Sequence, residues 1–428
     1  MQILKLGSEG TGVQYLSLAL TRAGFGTGGI KNTFDEAVHN ALVAFQNSVS
    51  ISADGVAGEV TYSYLMPYLR GYDTVVIRNG QTIDSLAEEY STTAEAIRTA
   101  NPMLTNYTPG ASVVVPFGFD VVPTDVDYSY ELVTLIANGI KARYPFVVLA
   151  TAGTSVMENE LWYMKIGTGE NQVFYNASHH ANEWITTPVL LKFTEDYLKA
   201  FASEGQISGR NARELYETTT LFVMPLVNPD GVNLVTNSIP ADSTYYIDAR
   251  AIGSSYPNIP FPDGWKANIQ GTDLNLNYPA SWEKAKEIKA SQGFVSPAPR
   301  DFVGSAPLSA IESRNVYNLT LRNNFALTVS LHTQGEVIYW KYLDYLPPRS
   351  EEIADELARV SGYTKEITPY ASGFAGYKDW FISYYNRPGY TVEIGSGTNP
   401  LPISDFDDIY PPNLRLLTEA LYLTPNNR

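Results

Sequence analysis

The spacing of apolar positions changes twice along this 428-residue chain and divides it into three parts. In the first part apolar residues recur every three or four positions, which is the period of an amphipathic helix. Helices are predicted at residues 13–20, ending at Gly24, at residues 35–46, and after Gly58. Because Asp54-Gly55-Val56-Ala57-Gly58 supplies turn residues before the last helix, residues 1–70 are predicted to form a three-helix module.

The second part, residues 71–118, combines two apolar runs with two short helical patterns. The first run covers residues 74–78, and Gly80-Gln-Thr82 then provides a turn and a helix cap. The second helix ends at Asn101-Pro102, because proline cannot continue a helix. Val113-Val-Val-Pro116 completes a predicted strand–helix–helix–strand module.

In the third part, residues 119–428, apolar strand-like runs alternate with amphipathic helices. Strands are predicted at residues 146–149, 161–164, 173–175 and 221–224, and helices at residues 183–201 and 351–360. Strands separated by helices indicate an α/β domain with a mixed, largely parallel sheet flanked by helices. Ligands of such sheets bind at the carboxyl ends of the strands.

Composition excludes several classes of function. The net charge of −16 disfavours nucleic-acid binding, and the absence of cysteine leaves histidine and carboxylate groups as metal ligands. No apolar run approaches the length of a membrane span, so no membrane partner is expected. The start, Met1-Gln-Ile-Leu-Lys-Leu-Gly, shows no secretion signal. We therefore expect a cytoplasmic or spore-associated protein, with the cell wall or exterior as the alternative.

Three of the four histidines stand at the ends of predicted strands. His179 and His180 follow the apolar stretch of residues 171–178, and His332 closes the run of residues 325–332. His180-x-x-Glu183 alone is a weak motif, but His332 supplies a second strand-end imidazole. Two imidazoles and a carboxylate with the fourth position open are the hydrolytic form of zinc coordination. Glu393 falls at a further predicted strand end.

Together with further fragments, these residues resemble the M14 zinc metallocarboxypeptidase family over about residues 125–425. The matches are His180-Ala-Asn-Glu183-Trp184, Asn228-Pro-Asp-Gly231, Gly271-Thr-Asp273-Leu-Asn275, Leu331-His332-Thr333 and Tyr390-Thr-Val-Glu393-Ile-Gly395. The resemblance implies that His180, Glu183 and His332 bind Zn²⁺, that Asp273 orients the first histidine, and that Glu393 is catalytic. His179 is either a neighbour or a mis-assigned ligand; we favour a neighbour because the spacing from His180 to Glu183 fits.

The chain departs from the family at the residues that contact substrate. Trp265 is followed by Lys266 where the family has arginine, so Lys266 is expected to face the oxyanion through a single point of contact. The Asn-Arg pair that holds a terminal carboxylate is here Asn275-Leu276, which lacks the bidentate clamp. Ordinary carboxyl-terminal trimming is therefore disfavoured.

Two further positions bear on the substrate. Lys378, in Tyr377-Lys378-Asp379-Trp380, stands where the family tunes its side-chain pocket, and a lysine there favours a substrate side chain with a carboxylate, such as meso-diaminopimelate. The alternative for Lys378 is a solvated lysine on a loop. Tyr370 best matches the family's mobile capping tyrosine, and Tyr377 is the alternative.

The block of residues 376–402 is similar to the γ-D-glutamyl-L-diamino acid endopeptidase branch of the family. Residues 1–70 resemble the peptidoglycan-binding family 1 domain, and residues 71–118 resemble LysM domains, which bind N-acetylglucosamine-containing glycans. These resemblances imply a zinc-dependent peptidoglycan hydrolase that cuts the stem peptide between γ-D-Glu and meso-diaminopimelate. The alternatives are a general metallocarboxypeptidase and a non-catalytic wall-binding protein.

Overall fold

The computed structural model describes residues 3–425. Met1 and Gln2, the first two residues of the segment that shows no secretion signal, lie outside the described residues, as do residues 426–428. The chain forms two compact units. Of the described residues, one unit comprises 3–127 and Glu131–Val148, and the other comprises Tyr128–Tyr130 and 149–425. The boundaries predicted from the sequence, 1–70, 71–118 and 119–428, remain predictions.

The first unit begins with three helices and continues with a small sheet. Its elements are α1 (Thr11–Arg22), α2 (Glu36–Ser48), α3 (Glu59–Arg70), β1 (Tyr72–Val76), α4 (Ile83–Glu89), α5 (Ala94–Ala100), β2 (Ser112–Pro116) and, from Glu131 onward, α6 (Tyr130–Arg143). The Asp35 carboxylate accepts from the Val38 N–H at the start of α2, and Thr82 and Ser85 cap α4 reciprocally. Strands β1 and β2 pair antiparallel, which gives the predicted strand–helix–helix–strand order.

The second unit carries the large sheet. Its elements are β3 (Val148–Thr154), β4 (Glu160–Gly167), β5 (Asn171–Ala177), α7 (Thr186–Ala202), β6 (Gln206–Ile207), β7 (Arg210–Asn211), α8 (Ala212–Thr218), β8 (Thr219–Met224), α9 (Pro229–Val235), α10 (Thr244–Ser254), α11 (Trp282–Ser291), α12 (Ile311–Leu321), β9 (Phe325–His332), β10 (Val337–Tyr339), α13 (Ser350–Ser361), β11 (Thr364–Glu366), α14 (Tyr377–Tyr385), β12 (Gly389–Glu393) and α15 (Phe406–Tyr422).

Eight strands form one sheet in the order β11-β10-β12-β9-β5-β8-β4-β3. The central strands β12, β9, β5 and β8 run parallel, whereas β4 and β10 pair antiparallel with their neighbours β8 and β12. Every residue of β8 and β9 is buried, as expected for parallel strands covered on both faces. The predicted mixed, largely parallel α/β fold is confirmed, and the carboxyl ends of β5, β9 and β12 lie along one edge.

Two element boundaries differ from the prediction. The strand predicted at residues 146–149 begins only at Val148, because the Val147 N–H donates to the Tyr144 carbonyl in a turn that follows α6. The helix predicted from residue 183 begins at Thr186 and is preceded by a single 3₁₀ turn, Ala181–Glu183. The Thr186 hydroxyl accepts from the Ser178 N–H and donates to the Glu183 carbonyl, and these local bonds hold the turn apart from the helix.

Among residues 3–425, none of the helices combines the length and the apolar character that crossing a bilayer needs.

Candidate metal centre and active site

Three predicted ligands meet at the carboxyl ends of two adjacent parallel strands. His180 follows β5, Glu183 closes the 3₁₀ turn after it, and His332 is the last residue of β9. Because Ala177 of β5 pairs with Leu331 of β9, the two strands end side by side. His180 Nδ1 lies 2.9 Å from Glu183 Oε1, and His332 Nδ1 lies 2.9 Å from Glu183 Oε2. The two Nδ1 atoms are 3.2 Å apart.

This donor set fits a zinc ion. One ligand atom from each residue lies within 4.8 Å of the other two. With Zn–N and Zn–O bonds of about 2.0–2.2 Å, tetrahedral ligand atoms are separated by roughly 3.3 Å, close to the observed spacing. Glu183 and His332 are buried, and the His180 side chain is 12% exposed, so the group opens on one side only. Burial opposes ionisation of Glu183, but His180 and Lys266 lower the pKa of its carboxyl below the usual range.

Asp273 contacts the His180 ring. Asp273 Oδ1 lies 3.1 Å from His180 Nε2, the ring nitrogen that faces away from the other two ligands, and Asp273 Oδ2 accepts from the Asp301 N–H at 3.1 Å. Burial opposes ionisation of this carboxyl, but His180 lowers its pKa below the usual range. A carboxylate in this position fixes the tautomer and the orientation of a metal-binding imidazole.

His179 lies outside the converging group. Its ring is buried, with Nε2 3.0 Å from the Tyr278 hydroxyl, and it stacks on His332 at 5.8 Å between ring centroids. Burial lowers the pKa of His179 well below its usual value. The structure thus places His179 as a neutral neighbour of the site.

Glu393 and Lys266 flank the three ligands. Glu393 is the last residue of β12 and pairs in register with His332. Burial, followed by the charge of Glu183, raises the pKa of Glu393 to about 8. Lys266 Nζ donates to Glu183 Oε1 at 2.8 Å, a contact that the sequence did not indicate, and the Lys266 carbonyl accepts from the Ala181 N–H. Glu393, Lys266 and two of the three ligand residues, His180 and His332, therefore line one cleft.

Comparison with known proteins agrees with this geometry. The zinc carboxypeptidase family model matches residues 134–412, and the peptidoglycan-binding domain model matches residues 9–65. Gamma-D-glutamyl-L-diamino acid endopeptidase 1 of Lysinibacillus sphaericus is 43% identical over 297 residues, which cover 69% of this chain and 73% of that protein. The chain belongs to the zinc carboxypeptidase family.

More distant proteins share part of the sequence or the fold. Bovine carboxypeptidase B is 25% identical over 288 residues, 62% of either chain. The crystal structure of thrombin-activatable fibrinolysis inhibitor superimposes with a TM-score of 0.56 at 16% identity, covering 84% of this chain and 99% of that one. At this identity the likeness shows the fold alone. Because the chain belongs to the zinc carboxypeptidase family, zinc is its metal, and the three residues that could hold it, His180, Glu183 and His332, are all present.

Within this family frame, three of the four predicted substrate residues line the cleft: Asn275, Leu276 and Lys378. The Asn275 amide lies 3.5 Å from His332 Nε2, and its oxygen accepts from the Tyr377 N–H at 3.0 Å. Leu276 is 93% buried in the core, so no cation stands at that position. The position after Asn275 therefore cannot supply a cation to bind a terminal carboxylate.

Lys378 differs from its prediction in one respect. Its side chain is 5% exposed and reaches the cleft, but its ammonium already donates to Asp379 Oδ1 at 2.6 Å and to the Lys341 carbonyl at 3.0 Å. A lysine is seldom buried without a partner, and here the next residue supplies one. The pocket carries a Lys378–Asp379 ion pair, where the sequence suggested a lone cation.

The two candidate capping tyrosines are in different environments. Tyr370 is 66% exposed on a 3₁₀ turn, and its neighbours Pro369 and Ser372 line the cleft. Tyr377 is fully buried, with its hydroxyl 2.9 Å from the Thr320 hydroxyl. Only Tyr370 has surface with which to cover a substrate.

The sequence reasoning missed three charged residues that line the cleft, Lys289, Arg300 and Asp301. They lie at the end of α11 and on the loop that follows it, outside any motif. The only sequence signal is a pair of opposite charges after Pro299. Such pairs are common on solvated loops, so the signal was too weak to single them out.

Proposed function

We propose that this protein is a zinc-dependent peptidoglycan hydrolase that cleaves the bond between γ-D-Glu and meso-diaminopimelate in bacterial stem peptides. The observation that carries the proposal is the 43% identity to a γ-D-glutamyl-L-diamino acid endopeptidase over 297 residues, which are 69% of this chain. A peptidoglycan-binding domain in the same chain supports a cell-wall substrate.

The chemistry follows from the residues around the three ligands. His180, Glu183 and His332 would hold the zinc ion, which when bound would lower the pKa of a water molecule and polarise the scissile carbonyl. Glu393, whose raised pKa suits proton transfer near neutral pH, accepts the proton of the attacking water and delivers it to the leaving amine. Lys266 faces the developing oxyanion with a compact charge. Asp273 keeps His180 in its ligating orientation.

A general metallocarboxypeptidase is the weaker alternative. Such an enzyme needs a cation beside Asn275 to hold the terminal carboxylate, and Leu276 is buried and apolar there. A non-catalytic wall-binding protein is weaker still, because a relic domain has no reason to keep three convergent ligands, Asp273 and Glu393 together.

The Lys378–Asp379 pair supports meso-diaminopimelate as the residue on the amine side. The far end of this diamino acid is a zwitterion, with one carboxylate and one ammonium group. A buried cation next to a buried anion can pair with both charges, whereas a lysine-type stem offers only an ammonium. Tyr370 is the residue that we propose closes over this substrate.

The first unit would keep the enzyme on the wall. We propose that residues 71–118 are a LysM domain that binds N-acetylglucosamine-containing glycan beside the peptidoglycan-binding domain, on the basis of their βααβ fold and the Gly80-Gln-Thr82 and Asn101-Pro102 fragments. Two modules on one strand raise the local concentration of stem peptide. Spore or cell wall is then the place of action.

Mass spectrometry of the products from L-Ala-γ-D-Glu-meso-diaminopimelate tests the proposal directly. Release of L-Ala-γ-D-Glu and free diaminopimelate is the expected result. An uncut tripeptide, alongside rapid removal of carboxyl-terminal residues from ordinary peptides, would establish the carboxypeptidase alternative instead. The same assay with L-lysine in the third position measures the contribution of the zwitterion.

A further inference from the structure

One cation of the cleft, the guanidinium of Arg300, keeps its two terminal nitrogens available for a ligand. Four cations line the cleft: Lys266, Lys289, Arg300 and Lys378. Lys266 donates to Glu183 and Lys378 to Asp379. Lys289 Nζ lies 2.6 Å from Asp301 Oδ1, and Arg300 Nε donates to Asp301 Oδ2 at 2.7 Å. Among the described residues, none accepts a hydrogen bond from the two terminal nitrogens of Arg300.

The charges of this cluster do not cancel. Two cations, Lys289 and Arg300, share the single carboxylate of Asp301, so the cluster keeps one positive charge. The chain as a whole carries a net charge of −16, so a locally positive wall stands out against it. A guanidinium with two free terminal nitrogens is the group best suited to bind a carboxylate through two parallel hydrogen bonds.

The loop that bears Arg300 is fixed to the catalytic residues on both sides. The Pro299 carbonyl accepts from the N–H groups of Lys266 at 2.7 Å and Ala267 at 2.9 Å. The Asp301 N–H donates to Asp273, and Asp301 has a left-handed backbone with φ of 66°, which aspartate tolerates. Arg300 is therefore held beside Lys266, and its charge opposes the rise in the pKa of Lys266 that Glu183 causes.

The position of Arg300 beside Lys266 indicates which half of the substrate carries the carboxylate that it binds. Lys266 is the residue proposed to face the scissile carbonyl oxygen. Lys378 follows Tyr377, whose N–H donates to Asn275, and is proposed to contact the residue that supplies the amine. In a γ-linked glutamyl residue the free α-carboxylate is four bonds from the scissile carbonyl carbon, on the acyl side. The geometry points to Arg300 as the residue that binds the α-carboxylate of γ-D-Glu, an inference that rests on the proposed function.

The test compares two substrates that differ only at this carboxylate. L-Ala-γ-D-Glu-meso-diaminopimelate and its D-isoglutamine counterpart, in which the α-carboxylate is an amide, are digested by the full-length zinc enzyme. The wild type is expected to prefer the carboxylate substrate in kcat/KM by roughly 10- to 100-fold, the range for a hydrogen bond to a charged group. Arg300→Leu should reduce that preference to nearly one, by slowing turnover of the carboxylate substrate alone.

Matched variants separate this role from a structural one. Arg300→Leu leaves the Lys289–Asp301 pair intact, so the melting temperature should stay close to that of the wild type. Arg300→Lys keeps the charge without the fork and should retain an intermediate preference. Arg322→Leu removes an exposed arginine elsewhere in the catalytic unit and should change neither rate.

Two results would overturn the inference without affecting the proposed function. One is equal loss on both substrates in Arg300→Leu, which would place the bound anion on diaminopimelate. The other is a wild type that cuts both substrates at the same rate. A wild type that cuts neither substrate would refute the proposed function and this inference with it.

Discussion

Glu183 and Glu393 lie close together at the metal centre and have pKa values shifted in opposite directions, and this difference separates their roles. The pKa of Glu183 is lowered because His180 and Lys266 outweigh its burial, so it stays anionic as a metal ligand should. The pKa of Glu393 is raised to about 8 by burial and by the charge of Glu183. When the pKa values of two neighbouring carboxyl groups are shifted in opposite directions, one group stays ionised and the other can exchange a proton near neutral pH.

Glu393→Gln should therefore remove proton transfer while leaving the metal centre in place. We expect kcat on the tripeptide to fall by roughly 10²- to 10⁴-fold, the usual contribution of a general base. Zinc content, measured by atomic emission, should remain one ion per chain. The comparison variant Glu183→Gln should lose zinc as well as activity. A Glu393→Gln enzyme as fast as the wild type would exclude the proposed mechanism.

Glu312 is a third buried carboxyl, on the first turn of α12 and outside the cleft. It accepts from the Asn268 amide at 3.0 Å, and Asn268 in turn orders the loop after Lys266. Burial raises its pKa to about 7 from a usual 4.5. Between these two values the folded protein keeps a proton that the unfolded chain has lost. The free energy of unfolding therefore falls as the pH rises through this window.

Glu312→Gln should flatten this part of the pH profile. The wild type is expected to lose roughly 2–4 kcal/mol of unfolding free energy from Glu312 between pH 4.5 and 7, and the glutamine variant none. Urea unfolding of the zinc-loaded protein at several pH values gives the difference. Glu283→Gln, at an exposed position on α11, serves as the control. Parallel profiles for wild type and Glu312→Gln would contradict the assignment.

The residues that the sequence revealed and those that it missed differ in their physical signal. His332 and Glu393 end strands, and His180 and Glu183 come just after the end of β5, so each polar side chain follows an apolar run and is visible in one sequence. Lys289 lies near the end of the charged helix α11 and Arg300 lies on the loop after it, where charged residues are ordinary. Lys378 was found, but its pairing with Asp379 depends on burial, which no spacing rule reports.

At the scale of elements, the Lys378–Asp379 ion pair lies in the first turn of α14. Asp379 Oδ2 accepts from the Gly376 N–H while Oδ1 accepts from Lys378, and both side chains are at most 5% exposed. Lys378→Met leaves a buried carboxylate without its cation, which should cost roughly 3–5 kcal/mol of unfolding free energy. Chemical denaturation measures this loss.

A second substitution and a surface pair provide the controls for α14. Adding Asp379→Asn to Lys378→Met removes the uncompensated charge and should recover most of the loss. Lys284→Met breaks the exposed pair with Glu287 and should leave the unfolding free energy close to that of the wild type. If Lys378→Met were as mild as Lys284→Met, the buried pair would not stabilise the helix.

The accuracy of the predicted elements depends on how strong their periodicity is. The three helices of residues 1–70 and the strand–helix–helix–strand order of residues 71–118 follow from caps and turn residues that act locally. The strand predicted at residues 146–149 is displaced, because a turn that closes α6 consumes its first residues. The order of the eight strands depends on contacts between distant segments, and periodicity alone does not contain it.

At the scale of the whole molecule, binding to the wall and hydrolysis belong to different compact units. In the first, the Gln46 carboxamide holds the turn before α3 by accepting from the Gly55 N–H at 3.0 Å and donating to the Val56 carbonyl at 3.0 Å. Gly55 has φ of +68°, and a Cβ there would collide with the His39 ring. This turn is therefore a place where wall binding can be disturbed without touching the cleft.

Gly55→Val should thus separate activity on intact wall from activity on soluble peptide. We expect hydrolysis of purified sacculi to fall by roughly tenfold or more, because the catalytic unit loses the high local concentration that binding provides. Turnover of the soluble tripeptide should stay at the wild-type rate. Gly26→Ala, where an added Cβ meets nothing within 4 Å and φ is not positive, should alter neither activity. Equal loss of activity on sacculi and on the tripeptide would mean that the turn supports the catalytic unit itself. Unchanged hydrolysis of sacculi would mean that residues 9–65 do not recruit the enzyme to its substrate.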